Sequence, residues 1–105
     1  MQLQNTFIHH VFFWLNENSE SNQQQLIEGL KKLSSASTIK QYHIGIPANT
    51  NREVIENSYG VSWMLLFDNA ADQDSYQVDP IHLNFVKECS HLWNKVTVYD
   101  CIDGI

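Results

Sequence analysis

Two segments of this chain, FIHHVFFWL at residues 7–15 and GVSWMLLFD at 60–68, have the length and alternation of strands yet carry bulky apolar side chains on both faces. In the first, Val11, Phe13 and Leu15 fall on one side, and Ile8, Phe12 and Trp14 on the other. A strand of this kind is stable only when both of its faces are covered, which excludes a simple one-sided sheet open to water. The rest of the chain therefore has to supply a layer for each face or leave one for a partner.

The remaining segments supply one layer. SESNQQQLIEGLKKLSSAS offers Ser21 and Gln24 as a capping box, followed by Leu26, Ile27, Leu30 and Leu33 along one stripe, which predicts an amphipathic helix of about four turns. TIKQYHIGIP (38–47) predicts a second strand that stops at Pro47, a residue with no ladder donor. After the long loop ANTNREVIENSY and the third strand, NAADQDSYQ opens a second helical region. Asp79 and Pro80 restart it, the first as an acceptor for free N–H groups and the second as a suitable first helical residue. Ile81, Phe85, Cys89 and Trp93 then share the buried side, and KVTVYDCI (95–102) reads as a fourth strand. The order β-α-β-β-α-β is the ferredoxin-like, α+β arrangement: a four-stranded antiparallel sheet with two helices on one face, in a single domain over residues 1–105.

Two helices cover one face of four strands, so the other face is left apolar. A patch including Val11, Phe13, Met64 and Leu66 is expected there, and a symmetric second copy is the commonest cover for such a surface. The expected assembly is a homodimer packed sheet to sheet. A chain of this length buries only about 60–65% of its unfolded surface, which also favours a partner.

Charge narrows the partners. The formal net charge is −6 and Arg52 is the single arginine, with no cluster of cations of the kind that displaces counterions from nucleic acid or an anionic membrane. The longest apolar runs, VFFWL and WMLLF, are far short of the ~20 residues of a membrane span. MQLQNTFIHH lacks the pattern of a secretory signal, so a cytoplasmic location is expected by default. Cys89 and Cys101 match no metal-ligand spacing; Cys89 reads as a small core residue. No glycine-rich phosphate loop, P-loop or zinc motif is present, and no cofactor is expected.

HHVFFWL in the first strand, HIGIP in the second, SYGVSWMLLFD in the third, DPIHLNFVKECSHLW in the last helix and VTVYD at the end together resemble the stress-responsive dimeric A/B barrel (Dabb) family over residues 7–100. The resemblance implies a ferredoxin-like subunit whose sheet forms a dimeric α/β barrel with that of a second copy. One plant branch is similar to polyketide cyclases, which close a ring by aldol-type chemistry without a cofactor, using a histidine and a tyrosine. The matching positions are His82, in the DPIH turn, and Tyr76, six residues earlier, while His10 falls where that branch has a pocket histidine. Val61 stands where the branch has another, and the loop before the third strand is built differently.

Each candidate has a plainer reading. His82, third residue of a helix capped by Asp79, sits at the positive end of the dipole, which favours the neutral ring a base requires; it could equally bond a nearby carbonyl. Tyr76 could donate to a substrate carbonyl or simply cover the core. By the resemblance, His10, Phe12 and Trp14 face the helices, and with Tyr42, Trp63, Phe85 and Trp93 they either line a pocket for a hydrophobic or flat molecule or form ordinary core. His9 is then expected to point toward the dimer partner with His43 on the matching side; the pair lacks a carboxylate and a local ligand spacing, so no metal is expected. Arg52 could reach an anionic group or remain a solvated surface residue, and His91 is expected to face solvent. Two functions follow: a cofactor-free enzyme acting on a small hydrophobic or aromatic carbonyl compound as a cyclase or lyase, or a non-catalytic, stress-associated dimer that binds an apolar ligand or serves a structural role.

Overall fold

The computed structural model describes all 105 residues. In chain order the elements are β1 (Phe7–Leu15), α1 (Glu20–Leu33), β2 (Gln41–Gly45), β3 (Val61–Phe67), α2 (Ala70–Val78), α3 (Pro80–Cys89) and β4 (Trp93–Cys101), with one 3-10 turn at Ser90–Leu92 before β4. The strands form one antiparallel sheet in the order β2-β3-β1-β4. This is the ferredoxin-like topology, with the helical region after β3 divided in two.

Local chemistry explains the element ends. Helix α1 is capped two residues ahead of the expected position: the Ser19 hydroxyl accepts the Asn22 N–H at 3.1 Å, and Glu20 lies in the first turn. Ser21 is therefore inside the helix, whose acidic start and Lys31–Lys32 end both suit the dipole. Leu26, Leu30 and Leu33 lie on its buried stripe. Helix α2 is capped by Asn69, whose side chain accepts the Asp72 N–H at 2.8 Å. The extended conformation of Asp79, imposed on the residue before a proline, separates α2 from α3. The Asp79 carboxylate then accepts the Ile81 N–H at 2.9 Å, with Pro80 at the first helical position. Helix α3 ends at Cys89, so Trp93 is the first residue of β4 and not a helical one; it pairs with Leu15 across an irregularity in the ladder.

The two faces of the sheet are assigned by β3. Val61, Trp63, Leu65 and Phe67 form its wholly apolar set, and all four are essentially inaccessible beneath the helices. The register pairs Val11 with Trp63 and Phe13 with Val61, which carries Val11, Phe13 and Leu15 into the same core. Val11 and Phe13 thus pack under the helices and not on the outer face, a correction to the expected dimer patch. Met64 and Leu66 do lie on the outer face, joined by Ile8, His10, Phe12 and Trp14. That second assignment is also reversed: His10, Phe12 and Trp14 were expected under the helices. In a strand apolar on both sides a shift of one residue exchanges every side chain, and only the partner strand's pattern decides between the two.

No second layer covers the outer face within the subunit. Part of the long loop before β3 reaches its edge, where Trp14 Nε1 donates to the Ser58 hydroxyl at 2.9 Å and Tyr59 stands edge-on to Phe12. No helix is long and apolar enough to cross a membrane.

Candidate functional site

Under the helices, a cavity of about 190 Å³ lies between the sheet and the α2–α3 corner. The floor comes from His9, Val11 and Phe13 of β1 and Trp63 of β3, and the roof from Tyr76, His82 and Phe85. Its mouth opens at the β4 edge, where Val96 and Val98 are 40% and 44% exposed because neither helix extends that far. A larger groove of about 500 Å³ runs between α1 and α3, but it is lined mainly by polar surface residues such as Gln24, Glu28, Lys32 and Glu88 and gathers no paired chemistry. The cavity under the helices is the site that joins apolar walls to a few placed polar groups.

Tyr76 and His82 meet there. Tyr76 is in the last turn of α2 and His82 in the first turn of α3; the bend at Asp79 folds one back on the other, bringing their rings edge to face at a centroid separation of 4.7 Å. Tyr76 is 2% exposed, and its hydroxyl accepts the indole N–H of Trp63 at 3.1 Å. The phenolic hydrogen remains available to donate. Burial pushes the phenol up to about 12, against the smaller opposing effect of the indole bond, so Tyr76 keeps that hydrogen at neutral pH.

His82 is half-buried, and its Nδ1 is enclosed without a hydrogen-bond partner. Burial holds the ring below its ordinary value, helped by the charge of His9, while the Gln77 main-chain carbonyl and the Asp79 carboxylate pull the other way. The ring is therefore neutral at pH 7, the state in which an imidazole takes up a proton.

The β1 histidine in the cavity is His9, not His10. His9 is 6% exposed, lies edge-on to Tyr76 at 6.2 Å, and has Nδ1 2.6 Å from Asp100 Oδ1 on the adjacent β4. In the uncharged form of the ring, donation from Nδ1 to the carboxylate leaves Nε2 as the acceptor nitrogen. The ladder places His9 opposite Asp100, so the signal lay in the parity of HH against YD, legible only once β1 and β4 are known to be neighbours. Of the other expected residues, Trp63, Phe85 and Trp93 line the cavity. Tyr42 lies tilted beside Trp63 at 5.5 Å but is 49% exposed and outside it. His10, Phe12 and Trp14 are on the opposite face of the sheet, and His43 joins them there while His9 does not. Arg52 and His91 are exposed and away from the cavity. No group of three or more histidine, cysteine or acidic side chains is arranged to hold a metal.

Fold and site together define a two-layer α+β subunit of ferredoxin-like topology, with a histidine–tyrosine cavity beneath its helices and an uncovered apolar sheet face. The chain belongs to the stress responsive A/B barrel domain (Dabb) family, whose profile matches residues 7–103. Among solved structures, a Dabb family protein with a ferredoxin-like fold from Mesorhizobium loti is similar at 21% identity and a TM-score of 0.75, covering 93% of this chain and 96% of that one. A hydroxynitrile lyase from Passiflora edulis has the same identity and TM-score, with 94% of each chain covered. A protein from Bacteroides fragilis described as dimeric and ferredoxin-like matches at 18% identity and a TM-score of 0.73, over 97% of this chain and 100% of that one. Two further similar structures, from Thermobifida fusca and a Jannaschia species, are also described as dimeric. At these identities the likeness is one of fold. No curated protein matches the sequence.

Proposed function

We propose that this protein is a homodimeric A/B barrel whose helix-covered cavity binds a small hydrophobic or aromatic carbonyl compound and moves a proton on it without a cofactor, with His82 as base and Tyr76 as hydrogen-bond donor. The carrying observation is that a neutral imidazole and a protonated phenol converge on one cavity with mostly apolar walls. In a ring closure, His82 takes the proton beside a carbonyl while the Tyr76 O–H stabilises the enolate oxygen. The enolate carbon attacks a second carbonyl of the same molecule, and the proton on His82 passes to the new alkoxide. Lyase chemistry uses the same base: His82 takes the hydroxyl proton, the carbonyl forms as the adjacent carbon–carbon bond breaks, and the leaving anion, cyanide from a cyanohydrin, carries off the electron pair and takes the proton from His82; a hydroxynitrile lyase is among the similar folds. Trp63, Phe85 and Trp93 supply apolar contact, and His9, oriented by Asp100, adds a second acceptor.

A non-catalytic ligand-binding dimer uses the same walls, and the enclosure of Tyr76 against Trp63 favours it to the extent that the hydroxyl serves the core. Turnover separates the two. With a panel of aromatic and acyl ketones and cyanohydrins, His82→Ala should leave the dimer folded and lower turnover by roughly a hundredfold or more, the usual scale for a positioned base. A compound that binds with equal affinity to both proteins and is turned over by neither would refute the catalytic reading.

A further inference from the structure

We infer that the outer sheet face is a proton-sensitive dimer interface, in which His10 and His43 release the partner when the medium becomes acidic. The inference rests on the proposal that two copies pack through this face. Its geometric basis is a row of three side chains across three strands: His10 of β1 pairs with Met64 of β3, and His43 of β2 pairs with the same Met64 from the other side. The two imidazoles thus flank one methionine near the middle of an apolar surface, and a two-fold copy brings four of them into the space between the sheets.

This face offers a protonated imidazole no counter-charge. Read through the ladders, no strand position on it holds an aspartate or a glutamate. β1 contributes His10 as its one titratable group and β3 none, while β2 contributes His43. β4 brings Tyr99 opposite His10, Cys101 opposite Ile8, and Lys95, whose ammonium lies over the Trp14 ring and adds a positive charge. The nearby carboxylates are engaged elsewhere. Asp100 points to the helix side and holds His9, Asp68 pairs with Lys40 beyond the start of β2, and Glu56 in the loop is bonded to Ser58.

Burial already lowers the His10 value in the single subunit, with the charges of His43 and His9 acting in the same direction, and its ring packs on Phe12 at 4.3 Å. A second sheet removes the remaining water. Separated subunits then bind protons that the dimer excludes, so association weakens as the pH falls.

The test is the dimer dissociation constant by sedimentation velocity at pH 7.5 and 5.5, with far-UV circular dichroism on the same samples. Each imidazole that must stay neutral weakens association by up to about tenfold one pH unit below a free histidine value. Four set a ceiling on the order of 10⁴, and at least about a hundredfold is expected for the unaltered protein. His10→Gln/His43→Gln should change by less than about threefold over the same interval. Should the double variant not assemble, His43→Gln, altered at a position exposed on the subunit, should show at most about half the logarithmic change of the parent, because part of the His10 effect is already present in the separate subunit. A monomer at pH 7.5 would overturn the dimer and this inference together, whereas an unaltered protein equally dimeric at both pH values would overturn the inference alone. Equal acid dissociation of the parent and the double variant, or loss of helical signal in both, would assign the effect to other groups and also overturn it.

Discussion

Tyr76→Phe removes a single oxygen, but that oxygen accepts the Trp63 indole N–H at 3.1 Å, and the two residues are only 2% and 1% exposed. The substitution leaves a buried donor without its partner, a loss worth about 1–3 kcal/mol. The adjoining cavity of about 190 Å³ can admit a water that reaches the indole, which places the cost toward the lower end, at about 1 kcal/mol. For a domain of this size that corresponds to a fall in Tm of about 4 °C or somewhat more. Thermal unfolding followed by circular dichroism should be compared at one protein concentration, because the proposed dimer would make Tm concentration-dependent. Trp63→Phe removes the donor together with part of a core ring, so it costs more alone, but adding Tyr76→Phe to it should cost little further. The coupling in this double-mutant cycle should be at least about 0.5 kcal/mol. A Tm unchanged within 1 °C in Tyr76→Phe, or strictly additive single effects, would refute the claim that the hydroxyl holds the indole. The result also conditions the catalytic test: turnover by Tyr76→Phe has to be measured well below its lowered Tm, or instability will pass for lost chemistry.

Asp79→Ala should destabilise the fold by about 1 kcal/mol through loss of the bond to the Ile81 N–H, and should lower the His82 titration further by removing a charge that raises it; unchanged melting and an unchanged His82 NMR titration would refute both. Met64→Lys places an ammonium between His10 and His43 with no carboxylate on that face, and should convert the dimer to a folded monomer in sedimentation at micromolar concentration, a stable dimer being the contrary result. His82 has a folded value below the unfolded one, so the unfolded chain binds more protons between the two: its contribution to stability is present above the unfolded value and is lost as pH falls from about 6.5 through the folded value. Denaturant unfolding of the His10→Gln/His43→Gln protein, which keeps His82, should show that decline, and His82→Gln in the same background should flatten it.

The element order was legible because each helix and strand carried a local pattern. The DP step at 79–80 was enough to place His82 in the first turn of α3, whereas its pairing with Tyr76 was implied by the family resemblance, and it is the bend at Asp79 that brings the two rings together. The end of α3 was not legible: Trp93 continues the helical spacing of Phe85 and Cys89, yet pairing with Leu15 draws it into β4. Here the ladder overrides a local periodicity.

The assignment of faces failed for a related reason. His9 and His10 are neighbours in a strand that is apolar on both sides, and hydrophobicity gives the two parities of β1 nearly equal claims on the core. The tie is broken elsewhere, by Val61, Trp63, Leu65 and Phe67 on β3, whose alternate positions include the polar Ser62. Once β3 turns its apolar set to the helices, the register Val11↔Trp63 commits His9 to the core, where an unpaired imidazole would be costly. Asp100 meets that requirement from β4, and its side chain is still 45% exposed because the helices do not reach that edge. The same lack of cover opens the cavity mouth between Val96 and Val98. One geometric fact, a helical layer narrower than the sheet, thus admits solvent to the carboxylate that orients His9 and leaves an entrance to the groups proposed to act on a ligand. Asp100→Asn separates these consequences. It should keep the entrance and exchange the acceptor carboxylate for an amide, changing the His9 Nδ1 nitrogen NMR signal while leaving the Trp63–Tyr76 bond intact. An unchanged His9 Nδ1 signal would show that the 2.6 Å contact does not orient the ring in solution.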